Sequence, residues 1–125
     1  MYGVETEVMS SKSILNLTQH PASAEQVGVV EPKDKEIVKA LLTFNDLPSM
    51  GEVISRAKDL TNVAKEHDAK HVMIGGAPWL MAPLENELKD AGITPHYAFS
   101  KRVSVEKDGK KISIFKHLGF VPPIE

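Results

Sequence analysis

The chain has no cysteine among its 125 residues. Disulfides, thiolate metal sites and a cysteine nucleophile are thereby excluded, and the composition suits a reducing, cytoplasmic compartment. Aromatic residues are scarce at 6 %, with a single tryptophan. That disfavours a general RNA-binding module, which interleaves rings with a basic stripe. No stretch approaches the roughly 18 apolar residues that a membrane-spanning helix needs. Positive charge is not in excess either. The formal net charge of −2 argues against broad binding to duplex DNA. No repeat and no low-complexity segment divides the chain.

What remains reads as one ordinary α/β domain over residues 13–125, large enough to fold without a staple. Residues 1–12 carry Glu5 and Glu7 without a basic-then-apolar pattern. They read as a flexible leader rather than a signal peptide. Ser13 to Thr18 alternates well enough for a first strand, and Val27, Val29 and Val30 around Gly28 suggest a short second one. Pro32 stands where a helix with Ile37, Val38, Leu41 and Leu42 on its apolar stripe can begin. Ser49 and Glu52 have capping-box spacing ahead of Val53, Ile54, Ala57, Leu60 and Ala64 at helical intervals. His67 and His71 are four apart, but the helix is expected to end between them. A metal is therefore not expected, and His67 should sit at the helix C-terminus.

The stretch Lys70 to Trp79 carries the most information. An apolar run of strand length stops at Gly75-Gly76, and Ala77-Pro78-Trp79 follows where a helix would start. Either Pro78 or Pro83 fits the first turn of that helix. Paired glycines let backbone N–H groups approach a ligand, and a helix N-terminus favours an anion. The plainer reading is a tight strand-to-helix turn. That helix, with Leu84, Leu88 and Ala91 on its buried side, ends at Gly92. It is followed by an apolar strand from Ile93 to Phe99 that ends in Ser100-Lys101-Arg102. Asp108-Gly109 then closes a hairpin in which Val105 faces Ile112, Val103 faces Ile114 and Glu106 faces Lys111.

The strand–helix–strand pattern predicts a three-layer domain with a mainly parallel sheet and a C-terminal β-hairpin. Ligands of open α/β sheets bind beyond the carboxyl ends of the strands. That rule gathers Gln19 and His20, Gly75 to Pro78, and Ser100 to Arg102. The set suits a nucleotide or phosphodiester. Glycine amides and Arg102 can meet phosphate oxygens, Ser100 can donate a hydrogen bond, and His20 can act as acid or base. Trp79 can stack on a base or belong to the core. The hairpin cations can equally be a solvated face.

Three segments, Gly92 to Arg102, the Asp108-Gly109 hairpin and Phe115-Lys116-His117, resemble small single-domain CARF-like proteins of type III CRISPR systems. The resemblance covers about the last third of the chain, and Gly75 to Trp79 departs from that family's loop. It implies a Rossmann-like homodimer that binds a cyclic oligoadenylate messenger in antiviral defence. Ring-nuclease members cleave that messenger without a metal or other cofactor. It also implies that Ser100 and Arg102 lie at the ligand, with Lys101 between them. In a ring nuclease, His20, Ser100 and Arg102 would be catalytic. Two other readings stay open: a protein that sequesters the nucleotide without cleaving it, and a dimeric interaction protein with no nucleotide ligand.

Overall fold

Five strands and three helices form the described part of the chain, residues 13–124 of a computed structural model. The leader expected at residues 1–12 lies outside the described residues. In chain order the elements are β1 (Ile14–Leu17), β2 (Val29–Val30), α1 (Lys35–Leu42), α2 (Met50–Glu66), β3 (His71–Ile74), α3 (Pro78–Asp90), β4 (Thr94–Lys107) and β5 (Lys110–Val121). The sheet order is β2-β1-β3-β4-β5. The pairings β1–β2, β1–β3 and β3–β4 are parallel, while the longest, β4–β5, is antiparallel. The sheet is therefore mixed.

Local chemistry accounts for the helix starts. Ser49 caps α2, its hydroxyl accepting from the Glu52 N–H at 3.1 Å. Glu52 does not reach back to complete the box; it pairs with Arg56 at 2.7 Å. Asp34 caps α1, so that helix begins after Pro32 rather than on it. Pro78 takes the first turn of α3, where its missing N–H costs nothing, and Pro83 lies within the helix. Gly92 follows α3 with φ +76°, as a left-handed cap requires.

Alternation along the strands divides the sheet into two unlike faces. Leu15, Leu17, Val72 and Ile74 join one core with Val38 and Leu42 of α1, Val53, Ala57, Leu60 and Ala64 of α2, and Leu80, Leu84 and Leu88 of α3. Each fully buried leucine here contributes roughly 1.5–3 kcal/mol. Ile37 and Ile54, expected on the buried stripes, are instead 50 % and 40 % exposed. Ile14, Asn16, His71, Met73 and His96 alternate onto the opposite face. All three helices thus share one face, which corrects the three-layer expectation. The steps β2→β3 and β3→β4 run in the same direction across the sheet, and crossovers of one hand then stack on one side. The single reverse step, β1→β2, is made by residues 18–28 without a helix.

β3 pairs with β4 only as far as His96. Beyond it, β4 and β5 run on as a two-stranded arm to the turn at Asp108 and Gly109, whose φ values of 52° and 77° define a type I′ hairpin. The expected pairs Val105–Ile112, Val103–Ile114 and Glu106–Lys111 are all present. Among the described residues, no helix is long and apolar enough to cross a membrane.

Candidate functional site

The reversal of direction between β1→β2 and β3→β4 opens the sheet at its carboxyl edge. The chain leaves β1 toward one side and β3 toward the other, so nothing fills the crevice between their ends. A cleft of about 460 Å³ lies there. One wall is Thr18, Gln19 and His20; the other is Gly75 and Gly76; Tyr97 also lines it.

The first wall is held from below by Asn16, which is fully buried although it sits in an apolar strand. Its amide nitrogen donates to the His20 carbonyl at 2.8 Å and to Glu31 at 3.0 Å. Its oxygen accepts from the Thr18 N–H at 2.9 Å and from the Thr18 hydroxyl at 2.7 Å. Lys35 donates to the Thr18 carbonyl at 2.8 Å and pairs with Glu31 at 3.0 Å. Burial opposes ionisation of Glu31. The Ala22 N–H, the Asn16 amide and Lys35 outweigh it, and the carboxyl is held below its ordinary value. The turn from Thr18 to Ala22 is thus fixed by a buried amide and an ion pair.

The second wall is backbone. A Cβ on Gly75 would meet only the Thr18 methyl, at 3.8 Å. Gly76 has φ +149°, a conformation that side-chain-bearing residues rarely adopt. The helix that follows differs from the other two. Ala77 at its N-cap gives no side-chain hydrogen bond, and its first turn carries no acid. Its N-terminal partial charge is therefore compensated neither by a capping side chain nor by an acid of its own first turn. The Tyr97 hydroxyl donates to Glu85 at 2.5 Å. Burial, then the bond to Glu85 and its charge, raise the phenol above its ordinary value, so it stays protonated.

Of the residues expected at the site, Gln19, His20, Gly75 and Gly76 come together, with Ala77 and Pro78 next in the chain. Gln19 donates to the Thr43 hydroxyl at 3.0 Å. The His20 imidazole is exposed and has no hydrogen-bond partner among the described residues. Trp79 is half exposed and meets Phe44 edge-on, with ring centres 5.7 Å apart. It lines a separate apolar groove of about 260 Å³ with Leu47, Pro48, Met50 and Val53. It is therefore neither core nor part of the cleft.

Ser100, Lys101 and Arg102 require a correction of register. β4 does not end at Phe99 but continues to Lys107, because Val103 and Val105 extend its alternation. The three residues are exposed within the arm, opposite His117, Lys116 and Phe115, and outside the lining of the cleft. The Arg102 guanidinium lies over the Phe115 ring, 5.0 Å from its centre.

Two histidine arrangements complete the picture. His67 is the C-cap of α2, as expected; its Nδ1 donates to the Val63 carbonyl at 2.8 Å and its Nε2 accepts from the Lys33 N–H at 3.0 Å. His96 is buried and its Nδ1 donates to the Pro122 carbonyl at 2.5 Å. Its Nε2 must then accept from His71 Nδ1, at 2.8 Å. Among the described residues, no group of three or more histidines or acids is placed to hold a metal ion.

The residues that sequence reasoning passed over are Asn16, Glu31, Lys35 and Tyr97. Asn16 had a readable signal, as the one polar residue inside Ile14–Leu17. Tyr97 had none, since its place depends on how β4 pairs. A family model described as "Uncharacterized protein MJ1673 family" matches residues 12–121. No curated protein matches the chain, and no solved structure does.

Proposed function

We propose that this chain, which belongs to the uncharacterized protein MJ1673 family, binds a cyclic oligoadenylate-type messenger as a homodimer. The observation that carries the reading is the cleft between β1 and β3, with a glycine wall and an uncapped helix N-terminus beside it. Those are features suited to phosphate. The order of the first four strands, all parallel, is compatible with a Rossmann-like ancestry, and the resemblance to CARF-like proteins supplies the ligand class. Gly75 and Gly76 offer backbone contact, Gln19 and His20 edge the cleft, and Ala77 to Trp79 lead away along α3.

The arm supports the dimer. A two-stranded ribbon is marginal by itself, and Val103, Val105, Ile112 and Ile114 form an apolar stripe along one side of this one. Packed against a second copy, the arm would bring Ser100 to Arg102 toward the ligand across the two-fold axis. Cleavage would need no metal: a ribose 2′-hydroxyl attacks the adjacent phosphorus in line, with His20 taking its proton and Arg102 stabilising the phosphoryl oxygens, and the P–O5′ bond breaks to leave a 2′,3′-cyclic phosphate and a 5′-hydroxyl protonated from water. A second reading, sequestration without turnover, draws on the His20 ring, which has no orienting partner. Either activity would serve antiviral signalling or its control in the cytoplasm.

A panel of linear and cyclic oligoadenylates, read by titration calorimetry and product analysis, tests both. Tight binding of one cyclic ligand per two chains is expected, and cleavage separates the enzyme from the sequestering protein. Binding of none of them, by a chain that is still dimeric, overturns the nucleotide reading in favour of an interaction protein.

A further inference from the structure

The cations of this chain are used in two different ways. In the body of the domain, five of the eight described cations, Lys35, Lys39, Arg56, Lys58 and Lys89, pair with a carboxylate, and Lys33, Lys65 and Lys70 do not. Residues 101–116 hold six cations, Lys101, Arg102, Lys107, Lys110, Lys111 and Lys116, against two acids, Glu106 and Asp108. Among the described residues, none of those six is in an ion pair, and all are exposed. The arm is thus strongly positive on a chain whose net charge is negative.

The register sorts these residues by face. Arg102 opposite Phe115, Ser104 opposite Ser113 and Glu106 opposite Lys111 share one side of the ribbon, while the valine and isoleucine pairs occupy the other, flanked by the lysine pairs Lys101–Lys116 and Lys107–Lys110. Phe115 is 66 % exposed on that polar side, with the guanidinium of Arg102 over it. A ring this exposed, beside the hydroxyls of Ser104 and Ser113 and the cations Arg102 and Lys111, is not packed into the core. This is the arrangement on which a nucleobase stacks while its phosphates meet lysines. Sequence spacing conceals part of this, because the ring and the guanidinium over it come from opposite strands.

We infer that the β4–β5 arm is a binding platform for single-stranded nucleic acid, a base stacking on Phe115 of the polar side while the strand's phosphates meet the exposed cations of both sides of the narrow ribbon. Affinity comes mainly from phosphate contacts and is salt-dependent. Single strands outcompete duplexes, because only an unpaired base can present its face to Phe115. The inference does not rest on the cyclic-ligand reading. That ligand would sit at the ends of β1 and β3 and shares only Arg102 and its neighbours Ser100 and Lys101 with the platform, whereas Phe115, Lys110 and Lys111 belong to the arm alone.

Fluorescence anisotropy with labelled 12-nucleotide oligouridylate and oligothymidylate tests it on the full chain. Binding at low salt should weaken roughly 30- to 100-fold between 50 and 200 mM salt, as about four to five neutralised phosphates imply. Phe115→Ala should weaken it about tenfold. The double change Lys110→Glu and Lys111→Glu, at the exposed tip, should weaken it at least as much and flatten the salt slope. His20→Ala should leave it unchanged, while disturbing any cyclic ligand in the cleft. Circular dichroism confirms that each variant is folded. No binding, binding indifferent to both arm variants, loss on His20→Ala alone, or preference for a duplex of equal length would each overturn the inference.

Discussion

Replacing Asn16 isolates what holds the first wall of the cleft. Asn16→Leu keeps the branched shape and heavy-atom count of the amide and removes all its hydrogen bonds. The Thr18 N–H then loses its partner, while the His20 carbonyl and Glu31 keep Lys35. A stranded buried donor costs about 1–3 kcal/mol, and each other lost bond about 0.5–1.5 kcal/mol. Leucine recovers a little by burying apolar surface. The net loss is about 3 kcal/mol, or roughly 10 °C in Tm for a domain of this size. Asn16→Asp is the sharper variant. It retains the acceptor for Thr18 but loses both donor bonds, and it sets a carboxylate against Glu31. Its destabilisation at neutral pH should equal or exceed that of leucine. Differential scanning calorimetry at pH 7 reads both. Shifts below about 2 °C for the two variants would show that the turn is held by something other than this amide.

The two glycines of the second wall should separate. Gly76→Ala should lose about 1–3 kcal/mol in urea denaturation because of its positive φ, whereas Gly75→Ala should lose under about 0.5 kcal/mol and act only on ligand affinity; equal losses would refute the distinction. Burial, then the neighbouring His96, push His71 below its ordinary value, so the unfolded chain takes up the proton more readily. Stability is then fully present above the unfolded pKa of about 6.5 and is lost as pH falls through the folded value. His71→Asn, which keeps a donor near the Nδ1 position, should remove that part of the slope in urea midpoints measured from pH 7.5 to 5. Arg102→Ala should weaken the cyclic ligand by about 1.5–3 kcal/mol by calorimetry with little change in Tm; unaltered affinity with a large fall in Tm would make it structural.

The sequence was most legible where the signal is local. Ser49 ahead of an apolar helical stripe, and Asp108-Gly109 between alternating valines and isoleucines, each specify their geometry within a few residues, and the structure agrees on both. The carboxyl-edge rule brought Gln19 and His20 to Gly75 and Gly76 across more than fifty residues of chain, because parallel strands place like ends together. It failed for Ser100 to Arg102, since it depends on where a strand stops. A polar triplet inside a two-stranded ribbon does not stop one when both faces of the ribbon can meet water. The single helical layer was hidden for another reason. It follows from a crossover that lacks a helix, and residues 18–28 have no pattern that reports what they fail to form. The His71–His96 contact was equally out of reach, being a lateral contact between neighbouring strands.

The type I′ hairpin also imposes a sequence of events in time. All of the β4–β5 pairing is contained within residues 94–121, around a turn that its own residues favour. Such hairpins close in about 1–10 μs. The pairing of β1 with β3 instead joins Ile14 to His71, and it cannot form until α1 and α2 have shortened the intervening chain. The arm should therefore acquire protected amides well before the centre of the sheet in pulse-labelled hydrogen exchange. Simultaneous protection of both would mean that the ribbon is too weak to stand before the sheet supports it. On this order of assembly, the molecule is positively charged and extended at one end while its core is still closing.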